Sequence, residues 1–465
     1  MRRSAFVLVL LSLLALAPAA DAASRLVIKG RGFGHGIGMS QYGAYGFAQH
    51  GYSYQQILEH YYSDTSLVAV SPAPTVRVLL QSGRRAVVSG AVAADDRSLD
   101  PAKTYSARAA GSRVALYSPT GRRLGTYDAP LRLAAAPDGS VRLRGPAANG
   151  LSNGRYRGAI EVRPSGGRVL AINAVGLEDY IRGVVSAESP SSWPAAQLQA
   201  QATVARTYAV TTNVGTTTDG IDQYADTRSQ MYRGVAAEYA STDGAVRATR
   251  GKVVAYQGQP VATFYFSTSG GETENIENVW PGSQPAPYLR GVEDPYDKIA
   301  PRHRWKIGPL TRRQVGARFG SLCSGSFRAL KVRKRGVSPR IVAADVVGSK
   351  GSRRVTGTNL RQALRANDNW MSFKRVTTNA TRSTSTRKAG LAALVFGGGR
   401  GIVGSVDPAK PGGKLIVEKR DRRGRWHRAA VGTTGAAGRY RVALDRPDTY
   451  RVKSGGAAGP AVRVR

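Results

Sequence analysis

Cysteine is almost missing from this chain: Cys323 is the only one in 465 residues. A single thiol excludes an intrachain disulfide and any thiolate-based metal cluster. Histidine is scarce too, with five in all. His50 and His60 fall outside any recognised zinc spacing, so neither a metal nor another cofactor is expected. Acidic residues are few, 30 Asp and Glu against 68 Lys and Arg, which leaves a formal charge of +38. Past the first two dozen residues, no apolar run approaches the ~20 residues that a membrane helix needs.

What is present suits packed domains. Apolar residues make up 42% of the chain, enough for ordinary cores and against wholesale disorder. The length exceeds one compact core and points to two or three units. Arg2 and Arg3, the apolar run from Ala5 to Leu16 and the small residues Ala20-Asp21-Ala22 read as a secretory signal over residues 1–23. Export is therefore expected, with no stable membrane span after cleavage. The positive charge is spread along the chain, and reads either as a solvated surface or as attraction to a polyanion. Nucleic acid fits such a charge, but an exported protein rarely meets it.

The pattern along the chain predicts an α+β protein. A Gly- and aromatic-rich stretch (30–62) precedes a β-rich region (75–170) of short alternating runs such as Val76-Arg77-Val78-Leu79-Leu80. Residues 177–213 switch to helical spacing: Leu177, Ile181, Val184 and Glu188 share one stripe. Ser191, Ser192 and Pro194 predict the start of a second, Ala-rich helix whose packing face holds Leu198, Ala202, Ala205 and Ala209. Strands return at Lys252–Tyr256 and Ala262–Phe266, within a remainder that runs over 220–375. Residues 376–399 read as a linker, and 400–465 as a small β-sandwich, immunoglobulin-like or carboxypeptidase-regulatory-like.

Chemistry gathers on few residues. Glu188 ends an apolar helical stripe, where lost hydration penalises the charged carboxylate and favours a general acid. The alternative is a helix-terminal Glu that faces solvent or pairs with an arginine. His35, bracketed by Gly34 and Gly36, has little steric cover on sequence grounds, so a loop hydrogen bond and a direct catalytic part are both open. Glu272 and Glu274 read as an acidic surface loop, although a second carboxylate there would suit hydrolysis if it met Glu188. Ser267 and Ser269 carry no serine-hydrolase signature. Asp226, Tyr232, Gln199 and Gln201 have side chains able to bind sugar hydroxyls.

Several segments together resemble the SpoIID/LytB family, the stage II sporulation protein and amidase enhancer group. They are Asp179-Tyr180-Ile181-Arg182-Gly183-Val184-Val185-Ser186-Ala187-Glu188, Ala200-Gln201-Ala202-Thr203-Val204-Ala205-Arg206-Thr207-Tyr208-Ala209, Ser267-Thr268-Ser269-Gly270-Gly271, Pro287-Tyr288-Leu289, and Gly32 to Ala44 around Gly34-His35-Gly36. The resemblance implies a SpoIID-like domain over 24–375 and a peptidoglycan lytic transglycosylase with Glu188 as the catalytic acid. It implies substrate contacts at His35, Ser40, Gln41, Gln201, Arg206, Tyr232, Ser267, Ser269 and Gly270. The implied partners are peptidoglycan glycan strands and a wall amidase, at a secreted or cell-wall location, while the positive charge points to anionic wall polymers or acidic lipid headgroups. The usual family order puts the Gly-His-Gly motif after the catalytic segment. Here it comes first, which reads as a circular permutation. Some members bind zinc through Cys and His, and this chain has no matching cluster.

Overall fold

The computed structural model describes residues 24–381 and 400–464, so the expected signal at 1–23 and the stretch 382–399 lie outside the described residues. Mostly antiparallel sheets with helices gathered between them make the protein α+β. The β-rich region folds into two sheets. One runs in the order 223–224, 75–83, 168–176, 159–165, 131–134, 93–94, 97–98, and the other in the order 123–127, 113–117, 104–110, 86–89, 141–143, 155–156. Alternation decides their faces: Val76, Val78 and Leu80 point into a shared core while Arg77 and Gln81 point away from it.

Helices α1 (Gln41–Gln49) and α2 (Tyr54–Tyr61) come from the Gly- and aromatic-rich stretch. Helix α3 (Leu177–Glu188) follows the strand Arg168–Gly176 without a break, and α4 (Ala195–Thr211) follows a short turn. Pro194 sits at the N-cap of α4 with no side-chain cap bond, so the serines before it do not act as the predicted hydroxyl cap.

Burial of α4 on two sides fixes the middle of the molecule. Leu198, Ala202 and Ala205 pack into the core of the two sheets, with α3 residues Leu177, Ile181 and Val184. Ala200 and Val204 face a second core that contains Ile37, Met39, Phe47, Ile57 and Tyr61 from the N-terminal segment. Small side chains let α4 serve both cores; Leu198 and Val204 each contribute roughly 1.5–3 kcal/mol by burial and each alanine about 1 kcal/mol or less. The predicted strand Ala262–Phe266 is shorter than expected. Only Tyr265–Phe266 pairs, in parallel, with Met39–Ser40, because Thr263 turns instead to the Val204 carbonyl of α4 at 2.9 Å.

The strand Ser24–Arg31 lies between Arg304–Leu310 and Met371–Thr381, antiparallel to both. Residues 24–30 and 371–377 thus lie side by side in one sheet. The strand Met371–Thr381 also crosses the boundary expected at 375/376. Its second half pairs with Gly401–Asp407, so residues 376–381, expected to open a linker, are strand instead; β-branched Thr suits a strand as readily as a loop. Beyond it, Gly401–Asp407 and Arg439–Ala443 pack face to face on a sheet built from 414–420, 426–433, 448–454, 457–458 and 462–464, over a core of Ile402, Val406, Leu415, Val417, Tyr440 and Val452. No helix among the described residues is long and apolar enough to cross a membrane.

Candidate active site

Glu188 is the last residue of α3, and its stripe mates Leu177, Ile181 and Val184 are fully buried. Ion pairs pin the start of that helix: Glu178 binds Arg206 through two contacts of 2.9 Å, while Arg182 bridges Asp179, Glu238 and Asp243. The far end projects the Glu188 carboxyl inward. Oε1 accepts the Met231 N–H at 2.7 Å, and Oε2 accepts from Gln41 Nε2 at 3.4 Å. Burial raises the pKa of this carboxyl, and hydrogen bonds from Met231, Gln41 and the Tyr265 hydroxyl partly oppose the rise. Tyr180, Tyr208 and Tyr265 stand near it; burial first, and then the Glu188 charge among other effects, raises the pKa of each. No second carboxylate is hydrogen-bonded to it among the described residues.

A chain of amides and a hydroxyl holds the helix end in place. Gln197 Nε2 donates to Ser189 Oγ at 3.1 Å, and Ser189 Oγ donates to Gln201 Oε1 at 3.3 Å. The same Gln201 oxygen accepts from Gln41, whose Nε2 also reaches the Glu188 backbone carbonyl at 3.2 Å. Gln41 and Gln201 therefore meet at the Glu188 end of α3.

His35 occupies a different position from the one its glycine neighbours suggest. Its ring packs against Phe266, Trp280 and Phe264, at centroid distances of 5.3, 5.4 and 6.5 Å. Nδ1 accepts the Ile37 N–H at 3.1 Å, which leaves Nε2 as the protonated nitrogen that donates to the Tyr265 carbonyl at 3.0 Å. Burial first, then nearby Arg361, lowers its pKa to about 4, so the imidazole is neutral at neutral pH. The glycines serve the backbone rather than exposure. A Cβ at Gly36 (φ +92°) would stand 2.6 Å from Arg340 Nε, and one at Gly38 (φ +70°) 2.2 Å from the Phe264 carbonyl.

Ser40 caps α1 by accepting from Gly43 N, and its hydroxyl donates to Asp297 at 3.1 Å. Asp297 also accepts the N–H groups of Ser269 and Gly270 at 2.9 Å and contacts His303 at 2.9 Å. These contacts make Ser40, Ser269 and Gly270 the interior joint between α1 and the 267–271 loop. Ser267 is half-buried, and its carbonyl accepts from Tyr42 N at 3.0 Å.

Three expectations are corrected by burial. Arg206 is 0% exposed and spends its guanidinium on Glu178 and the Lys252 and Val246 carbonyls, which leaves nothing for a sugar. Tyr232 is equally buried, with its hydroxyl on Asn173 Oδ1 at 2.6 Å. Glu274 is no surface acid: it is fully buried and accepts from Asn278, Val337 and Ser338. Asp226 forms a two-bond pair with Arg228 at 2.8 and 2.9 Å. Two further tyrosines of the site are marked by helical spacing. Tyr180 lies eight residues before Glu188, close to two helical turns, and Tyr208 lies seven after Gln201. Met231 acts through its backbone, which no side-chain pattern announces.

The comparisons with known proteins fall on this same region. The family model described as SpoIID, stage II sporulation protein, matches residues 165–256. Stage II sporulation protein D of Bacillus subtilis (strain 168) is 27% identical over 220 residues, 44% of this chain and 62% of that protein. Its namesake in Bacillus amyloliquefaciens is 28% identical over 212 residues, 42% of this chain and 59% of the relative. The amidase enhancer of Bacillus subtilis (strain 168) is 35% identical over 135 residues, 29% of this chain and 17% of that protein. The chain thus spans about three-fifths of the length of the two sporulation proteins. The matched stretch holds α3, Glu188 and α4, so it is this part of the chain that is similar to the SpoIID family model, the sporulation proteins and the amidase enhancer.

Proposed function

We propose that this protein is a peptidoglycan lytic transglycosylase that acts outside the cytoplasm on glycan strands, with Glu188 as its acid. The observation that carries the reading is one carboxyl, raised in pKa by burial, with amide donors around it and no second carboxylate bonded to it. In the proposed reaction the protonated Glu188 gives its proton to the oxygen between N-acetylmuramic acid and N-acetylglucosamine. The C6 hydroxyl of the muramic sugar attacks its own anomeric carbon, the glycosidic C–O bond breaks, and the hydroxyl proton returns to the Glu188 carboxylate. A 1,6-anhydro end and a free hydroxyl result. The internal nucleophile gains from proximity, so a second protein carboxylate is not needed. Gln41 and Gln201 are assigned to positioning the acid. Ser40, Ser267, Ser269, Gly270 and His35 are assigned to shaping the adjoining wall of the site.

The resemblance to an amidase enhancer favours a second reading, in which the protein binds the wall and stimulates a separate N-acetylmuramoyl-L-alanine amidase. Incubating the purified protein with purified glycan strands, with and without such an amidase, separates the two. The first reading expects anhydro ends without amidase. Absence of any glycan product, together with faster amide cleavage when amidase is added, would replace it with the second.

A further inference from the structure

The sheet at the junction with the C-terminal sandwich carries an unneutralised basic face. In the strand register Lys29 stands opposite Lys306, and Arg31 opposite Arg304. Period-two alternation puts Lys374, two residues beyond the Ser372 that pairs Lys29, on the same face. Like charges directly across a ladder are destabilising, yet none of these five cations has an ion pair among the described residues. The stretch 382–399 holds no Asp or Glu that could supply one.

Three of the ammonium groups converge on a single turn of the sandwich. Lys29 Nζ donates to the Gly455 carbonyl at 2.7 Å, and Lys306 Nζ to the Gly456 carbonyl at 3.0 Å. A Cβ at Gly455 would stand only 3.0 Å from Lys374 Nζ. Two carbonyl dipoles do not balance that charge. Lys374 accordingly has a lowered pKa, through burial and then through Lys29 and Lys410.

We propose that this face binds a linear phosphodiester polyanion laid across the junction between the main domain and the sandwich. The cations form ranks about 6.7 Å apart along a strand and about 4.8 Å apart between strands, which suits a chain of repeating charges better than a single enclosed anion. Lys29, Arg304 and Lys306 are solvent-exposed. The three strands carry no exposed large apolar side chain that would enter a bilayer, which favours a polymer over a lipid surface.

The test is equilibrium binding of the full protein to poly(glycerol phosphate) across a salt series, for wild type, Arg304→Glu, Lys374→Gln and a control, Arg122→Glu. Arg122 is exposed and lies in the turn between strands 113–117 and 123–127 of the β-rich region, on a different sheet. Each cation at such a surface contributes roughly a factor of five. Arg304→Glu is expected to weaken binding about tenfold or more and to flatten the salt dependence, Lys374→Gln to weaken it severalfold, and Arg122→Glu to leave it within twofold. Equal loss in Arg304→Glu and Arg122→Glu would reduce the effect to net charge and overturn the proposal. Tighter binding to phosphatidylglycerol vesicles than to the polymer would overturn it as well. Neither result bears on Glu188, so the proposal fails or stands apart from the transglycosylase reading.

Discussion

Gln41 and Glu188, 147 residues apart in sequence, are joined through one amide: Gln41 Nε2 lies 3.2 Å from the Glu188 carbonyl and 3.4 Å from Oε2. This contact ties the Gly-His-Gly segment to the end of α3. Its N–H favours the ionised carboxylate, so its removal raises the Glu188 pKa further. A general acid works while protonated. The alkaline limb of the pH–rate profile of Gln41→Ala is therefore expected to move to higher pH, while the maximal rate falls by up to about 10²-fold from lost positioning. An alkaline limb that moves to lower pH would contradict the contact's assigned effect.

His35 makes stability depend on acid. Its folded pKa of about 4 lies below the ordinary 6.5, so the unfolded chain binds the extra proton first as pH drops. The contribution is fully present above pH 6.5 and is lost as pH falls toward 4, a change of up to about 3 kcal/mol. Wild type is expected to lose Tm more steeply than His35→Gln over that window. Parallel Tm curves for the two would show that the imidazole does not titrate as described.

Arg206 is a structural ion-pair member. Arg206→Ala strands Glu178 and two backbone carbonyls and is expected to destabilise by about 3–5 kcal/mol in chemical denaturation. Arg206→Met combined with Glu178→Gln is expected to recover much of that loss. Failure of the double variant to recover, with normal folding of Arg206→Ala and weakened glycan binding, would restore the sugar-contact role.

Tyr232→Phe deletes a buried hydroxyl bonded to Asn173. We expect a stability loss of about 1–2 kcal/mol and unchanged kcat and KM for glycan per folded molecule. A raised KM with unchanged stability would place that hydroxyl against substrate instead.

Local patterns made much of this legible. The alternating runs at Val76–Leu80 and Lys252–Tyr256 became strands, and Leu177, Ile181 and Val184 became the buried face of α3 with half-buried Glu188 at its end, because period is a local property of sequence. Tertiary partners were not legible. Glycines flanking His35 resemble an open loop, and only the packing of Phe264, Phe266 and Trp280 closes it. Arg206 sits in a family-like motif, but nothing local reveals that Glu178, a full helix earlier, claims its guanidinium. The strand Met371–Thr381 entered the expected linker because its partner Gly401–Asp407 lies beyond that linker.

Mass spectrometry of purified glycan strands after incubation with wild type and with Glu188→Gln tests the central claim most directly. The glutamine variant keeps the shape and the Met231 hydrogen-bond acceptor but has no proton of the required acidity, so product should fall by about 10²–10⁴-fold. Wild type is expected to yield 1,6-anhydro ends and the folded Glu188→Gln protein almost none. Equal anhydro product from both proteins would contradict the account.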